Sequence, residues 1–393
     1  MENIQAMADH WLKFLICSFV LLIAQVQGSE EVPITFLETA VENGAVCLDG
    51  SPPAYHYAKG FGDGASNWMV YLEGGGWCKS EDNCYSKVKI PAPGIGNSYK
   101  KGNTTTFNGI LGQSQTMNPN FYNWNRVFVR YCDGSSFSGD VEEIIQIHRR
   151  GARVFNAIME DLLAKGMRNA NNAILAGNSA GGLATILHCD GFRALIPNAA
   201  RFKCIADAAL FVRGKDLPGA EDKRERPFAT IVAFHGIDKF LPKSCTSKMD
   251  PGLCLFPENL LGDIETPIFL VNSAFDSLQI ASNLVPVEPG WNNCTKDIKF
   301  CTSTQIQTTK EFRAALLKTL PEDNNSSRGI FIDSCFYHDQ INYYPRWSGP
   351  TSPKLNNKTM SEAVGDWYFD RSSFQEIDMK NDFPRNCTQD HDI

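Results

Sequence analysis

The stretch that most limits how this chain can fold is Ala173 to His188, AILAGNSAGGLATILH. A short apolar run fit for a buried strand meets Gly177-Asn178-Ser179-Ala180-Gly181, and an apolar helical stretch from Ala180 to His188 follows. A bare G-x-S-x-G is also what an ordinary glycine-rich turn between a strand and a helix looks like. The strand before it and the helix after it are what a nucleophile elbow requires. In that arrangement Ser179 stands at a helix N-terminus, where free N–H groups and the helix dipole favour negative charge developing on an oxygen.

Other apolar runs repeat the pattern. Trp68–Leu72, Val127–Tyr131, Ala173–Ala176, Ile268–Val271 and Ile330–Ile332 read as buried strands. Ile144, Ile147, Val154, Ile158 and Leu162 fall at helical spacing and predict a helix over Val141–Lys165, with Gly166 to close it. A second helical stretch, Thr308–Leu320, ends at Pro321. Alternating strands and helices imply an α/β fold, with a mostly parallel central sheet flanked by helices. Residues 85–120 and 211–265, rich in Gly, Pro, Asn and Lys, read as long loops. There is no internal repeat, low-complexity tract or charged tail, and 29–393 is expected to form a single domain.

The N-terminus indicates the compartment. Phe14–Ala24 is apolar over 11 residues, too short for a bilayer and right for the core of a signal peptide, and the small residues Val26 and Gly28 place cleavage before Ser29. No later stretch is long and apolar enough to span a membrane. Loss of residues 1–28 removes Cys17 from 13 cysteines, and the even remainder reads as a disulfide framework in an oxidising compartment. Cys78–Cys84, Cys245–Cys254 and Cys294–Cys301 are near enough in sequence to close short loops. No paired Cys/His spacing supports a zinc site. N-x-S/T sequons at Asn103, Asn293, Asn324, Asn325, Asn357 and Asn386 fit a secreted glycoprotein. A net charge of −7 without a basic run argues against nucleic-acid binding through phosphates.

Glu73-Gly74-Gly75-Gly76-Trp77 follows a predicted strand and lies upstream of the elbow. Glycines let main-chain N–H groups approach a substrate oxygen, so Gly76 and Trp77 are candidate oxyanion donors beside Ala180. A serine nucleophile needs a base and a carboxylate, in α/β-hydrolases in the order Ser, acid, His. His188 lies on the helix after the elbow and His391 in the terminal tail. His338, shortly after a predicted strand, is placed better than His235, which stands in an insert-like region. Asp276, after the strand PIFLVN, is placed like the acid; Asp207 comes early and Asp333 is too near His338 in sequence.

The segments VENGAVCLDGSPPAYHYAKGFG, NWMVYLEGGGWC, RGARVFNAIMEDLLAKGM, ILAGNSAGGLATILHCD, FDSLQI and FIDSCFYH together resemble the plant pectin acetylesterases, over nearly the whole chain after about Val32. The same family includes the animal Notum deacylases, similar in the EGGW and GNSAGG segments. The resemblance implies an α/β-hydrolase fold and a Ser–Asp–His mechanism, with Ser179, Asp276 and His338 as triad and Gly76, Trp77 and Ala180 as oxyanion donors. It implies deacetylation of pectin in the cell wall by a secreted enzyme, with no metal or organic cofactor and no nucleic-acid or membrane partner; a monomer is expected. Two departures stand out. Where the plant family often reads HCQ, this chain has His338-Asp339-Gln340, which puts a negative charge beside the base. Where the family commonly has DAG(F/Y)F, it has Asp207-Ala208-Ala209-Leu210-Phe211. A lipid-ester hydrolase in the manner of Notum, with a deep apolar pocket, and a catalytically silent carbohydrate-binding wall protein are the rival readings.

Overall fold

A computed structural model describes residues 30–90, 95–213, 225–284, 291–321 and 327–387. The expected signal peptide at 1–28, the sequons at Asn324 and Asn325, and His391 lie outside the described residues.

The strands are β1 Glu31–Phe36, β2 Ala54–Ala58, β3 Asn67–Leu72, β4 Thr104–Thr106, β5 Asn125–Val129, β6 Asn172–Asn178, β7 Arg201–Asp207, β8 Ile268–Ser273, β9 Gly329–Asp333, the hairpin pair β10 Lys354–Leu355 and β11 Lys358–Thr359, and β12 Gln375–Ile377. Ten of them form one sheet in the order β12-β9-β8-β7-β6-β3-β5-β2-β1-β4. From β12 to β5 every neighbour is parallel, and β2, β1 and β4 complete the sheet antiparallel. Fully buried parallel strands need apolar side chains on both faces, which is why runs such as WMVYL are unbroken rather than alternating.

The period of two divides those side chains between two cores. Trp68, Val70, Leu72, Leu175, Ala206 and Leu270 pack on one face with helices α2 (Gly151–Ala164) and α3 (Ala180–Leu195), which follow α1 (Glu81–Lys89) in the chain. Met69, Tyr71, Ile174, Phe269, Val271 and Phe331 face a second core built on Phe121, Trp124 and a C-terminal helix, Met360–Tyr368. That last helix starts on a complete capping box, Thr359 with Glu362.

Three sequence expectations need correction. The helix predicted from Val141 begins only at Gly151. Ahead of it the chain loops back in a Val141–Arg149 bridge, with Ile144 59% exposed and Ile147 buried in a separate small cluster against Leu48 and Cys84. Arg149 and Arg150 bond the Glu143 and Glu142 carbonyls, fixing that loop. The helical spacing therefore joined two elements. Second, the loop expected over 211–265 contains an 11-residue helix, Glu225–His235, which buries Phe228, Ile231, Val232 and His235. Likewise a nine-residue helix, Glu81–Lys89, capped by Ser80, runs into the loop expected over 85–120. Third, the strand predicted at 127–131 lies two residues earlier.

The three short-range disulfides expected from spacing are present, with three longer-range ones, Cys47–Cys132, Cys189–Cys204 and Cys335–Cys387. Among the described residues no helix is long and apolar enough to cross a membrane.

Candidate active site

Ser179 joins β6 to α3 with φ 54° and ψ −122°, a conformation an L-residue holds only under constraint from its surroundings. The constraint is visible: the Ser179 N–H donates to the main-chain oxygen of Asp207, 2.9 Å away at the end of β7. The Ser179 side chain makes no capping bond, so the first-turn amides of α3, beginning with Ala180, are not used by it.

His338 lies beyond the end of β9 and Asp276 beyond the end of β8, both on the carboxyl edge of the sheet where Ser179 also stands. The structure brings the two together: His338 Nδ1 is 2.9 Å from Oδ1 and 3.0 Å from Oδ2 of Asp276. Asp276 is fully buried and its two oxygens also accept the Gln279 N–H (2.9 Å) and side-chain amide (3.1 Å). Nδ1 thus carries the hydrogen, leaving Nε2 as the basic nitrogen. Nε2 is buried and, among the described residues, has no hydrogen-bond partner, Ser179 included. Burial by itself would lower the His338 pKa, but the carboxylates of Asp276, Asp339 and Asp207 outweigh it and raise the pKa to about 8.

The loop after β3 closes the third side. A Cβ on Gly74 would come within 2.6 Å of the Asn178 carbonyl oxygen and 3.0 Å of Ser179 Cβ, so only glycine lets this loop lie on the elbow. Gly76 has φ +74°, and its carbonyl accepts the Tyr131 hydroxyl at 2.8 Å. The Trp77 indole N–H donates to Ser136 Oγ at 2.8 Å, while its ring meets Phe211 and Phe228 edge-on. Beneath the loop Glu73 accepts from Arg130 and Lys101, each at 2.9 Å, and from the Tyr131 N–H at 2.7 Å. A hydroxyl, a carboxylate-backed imidazole and a glycine loop on one edge of a sheet are the parts of an acyl-transfer site.

A sequence profile of the family described as Pectinacetylesterase matches residues 25–389. The chain belongs to the pectin acetylesterase family. As a member it is a carboxylic ester hydrolase. It is 47% identical to Pectin acetylesterase 11 of Arabidopsis thaliana over 376 residues, 94% of this chain and 95% of that one. It is 48% identical over 375 residues to Pectin acetylesterase 7 of the same plant, covering 93% and 95%. Among solved structures it is similar to the Wnt deacylase Notum from Drosophila, with a TM-score of 0.74 and 22% identity over 90% of this chain and 98% of that one. That likeness confirms the α/β-hydrolase-like fold.

Within this pectin acetylesterase fold the rival residues have other surroundings. His188 is half-buried and stacked on Phe155 with Nε2 3.0 Å from the Phe137 carbonyl, and His235 is buried with Nε2 2.8 Å from the Cys78 carbonyl. Burial holds both near pKa 4, hence neutral. Asp333 accepts the Cys335 N–H and is pushed up to about 7 by burial. Among the described residues, Cys78, Cys84 and His235 lie within metal-bridging reach of one another, but both sulfurs are consumed in a disulfide.

Two residues of the site escape a reading by motif. Asn178 donates to Asp339 Oδ2 at 2.9 Å and accepts the Gly74 N–H at 3.1 Å, so one side chain ties the histidine loop and the glycine loop to the elbow. Asp207 is fully buried, and its Oδ2 accepts the N–H groups of Gln340 (2.6 Å) and Ile341 (2.9 Å). Burial, reinforced by Asp339, pushes its pKa up to about 8. By sequence Asp207 enters only as an alternative acid and Asn178 only as a member of the elbow motif; neither reading points to these ties.

Proposed function

We propose that this chain is a secreted serine esterase that removes acetyl groups from the galacturonan of pectin in the plant cell wall. The observation that carries the reading is the His338 imidazole seated between both oxygens of Asp276, on a loop that Asn178 fastens to the Ser179 elbow. The names of the plant relatives supply the substrate class.

In the reaction His338 Nε2 takes the Ser179 proton as Oγ attacks the acetyl carbonyl carbon. The oxyanion is held by the N–H groups of Gly76, Trp77 and Ala180. Asp276 keeps the Nδ1–H tautomer and stabilises the imidazolium. His338 then protonates the departing sugar oxygen, leaving acetyl-Ser179. Water deprotonated by the same nitrogen attacks the acyl carbon and releases acetate and the free serine. The scheme calls for no metal or organic cofactor. The signal peptide, the cysteine count and the sequons support export as a glycoprotein.

The test is acetate release from acetylated pectin beside acetylated xylan, with Ser179→Ala as control. The substitution is expected to lower turnover by about 10⁴-fold or more with the protein still folded. Full activity in that variant removes the serine mechanism. Preference for octanoyl or longer nitrophenyl esters over acetyl would replace the polysaccharide reading with a lipid-ester one, and pectin binding without turnover would leave a binding protein.

A further inference from the structure

A groove of about 740 Å³ opens at the margin of the sheet, between the β10–β11 hairpin and the segment that follows the edge strand β12. That volume is within the ~300–1,000 Å³ of ligand clefts. Its lining combines three cations, Lys354, Lys380 and Arg385, with two apolar side chains that a folded chain normally covers. Met379 is 70% exposed and Phe383 48% exposed. Among the described residues neither Lys354 nor Lys380 has a carboxylate within ion-pair distance. The acids of the lining are engaged locally: Glu376 accepts the Asn356 amide at 3.2 Å, and Asp378 accepts the Asn381 amide at 2.9 Å and the Lys380 and Asn381 N–H groups.

The groove is fixed to the chain that carries His338. Asp378 N–H bonds the Ile332 carbonyl at 2.8 Å, Arg385 N–H bonds the Ser334 carbonyl at 2.9 Å, and Phe336 N–H bonds the Arg385 carbonyl at 2.8 Å. The Cys335–Cys387 disulfide locks the same two segments together. Two residues past Phe336 stands His338. The segment that walls the groove on one side is thus held rigidly to the loop that carries His338.

We propose that this groove is a distal binding site for the uronate backbone of the polymer, with carboxylates against Lys354 and Lys380 and the C–H face of a sugar on the Phe383 ring. The inference rests on the galacturonan reading above. It answers an electrostatic problem of that reading, since a chain of net charge −7 repels a polyanion unless cations are gathered locally. Substrate binding energy gathered far from the reacting bond lowers KM for polymers and leaves small esters untouched.

The test uses full-length Ser179→Ala protein, enzymatically deglycosylated because Asn357 both lines the groove and begins a sequon, titrated with unacetylated oligogalacturonate. Lys354→Ala/Lys380→Ala is expected to weaken binding about fivefold to tenfold and to flatten its dependence on salt. Phe383→Ala is expected to weaken it without changing the salt slope. In the active enzyme the same substitutions are expected to raise KM on acetylated galacturonan by a similar factor and to leave kcat/KM on nitrophenyl acetate unchanged, which also verifies folding. Titration and KM unchanged in both variants overturn the site, as does absence of oligogalacturonate binding to the Ser179→Ala protein. If the wild-type enzyme deacetylates xylan and not galacturonan, the substrate reading fails, and the titration still reports on the groove by itself.

Discussion

The side-chain amide of Asn178 donates to Asp339 Oδ2 at 2.9 Å, linking the residue before Ser179 to the residue after His338. The other end of the same amide accepts the Gly74 N–H. The Ser179 elbow, the His338 loop and the glycine loop therefore take their mutual positions from one side chain. Asn178→Ala is expected to lower kcat on nitrophenyl acetate by about 10- to 100-fold, since misplacing reacting groups by about 1 Å has effects of that size. KM should change less than threefold, and the melting temperature should fall by only a few degrees. A stopped assay across substrate concentrations, with calorimetry on the same samples, reads all three. A variant with normal kcat would show that the loops hold their places without Asn178.

Asp207 performs a related task from beneath. Its carbonyl takes the Ser179 N–H and its carboxylate takes two N–H groups of the histidine loop. The groups facing it are Tyr71, His338 and Asp339. Asp207→Leu strands two buried donors, each costing about 1–3 kcal/mol, and frees the loop, so both stability and kcat should fall sharply. Asp207→Asn keeps an oxygen for those donors and stands in for the neutral carboxyl that burial favours below about pH 8. It should retain kcat within a few-fold and leave the acid limb of the pH–rate profile in place. An equal loss in both variants would assign Asp207 an electrostatic role instead of a positioning one.

What the sequence made legible follows from which forces are local. The buried strands around Trp68–Leu72 and Ile268–Val271 were readable because a doubly covered parallel strand is apolar at every position. β7 was not, because Arg201, Lys203 and Asp207 interrupt it; Lys203 keeps its ammonium satisfied at the Trp367 carbonyl, on a helix 164 residues away in sequence. The start of α2 failed for a similar reason, since Ile147 belongs to a different cluster from Val154. At the site, chain order ranked Asp276 above Asp207, and a place just after a strand ranked His338 above His235. The tie from Asn178 to Asp339, and from Asp207 to Gln340, spans more than a hundred residues and leaves no trace in spacing.

Asp339 follows His338 directly, and its charge helps to raise the His338 pKa to about 8. A base must be unprotonated to act, so kcat/KM should climb with pH and level off above about 8. Asp339→Asn preserves an oxygen for Asn178 and deletes the charge. The acid limb should then move to lower pH and activity at pH 6 should rise relative to its plateau. An unmoved limb would mean that the limb reports a group other than His338.

Stability should run against activity. Burial raises the pKa of Asp133 to about 6, Asp333 to about 7 and Asp207 to about 8. Each is an ordinary carboxylate in the unfolded chain, near pH 4. Between the unfolded and folded values the native state binds more protons, so stability is fullest below about pH 4 for these groups and drains as pH rises through 6 to 8. His338, also raised in the native state, adds to the same trend above its unfolded value. The melting temperature should therefore be lower at pH 8.5 than at pH 5. Asp333→Asn, whose neutral amide needs no proton to stay buried, should flatten that slope between pH 5 and 7.5. A thermal melt series across this range on both proteins decides it, and a native stability that rises toward pH 8.5 would show that these buried carboxyls are already ionised and compensated in the fold.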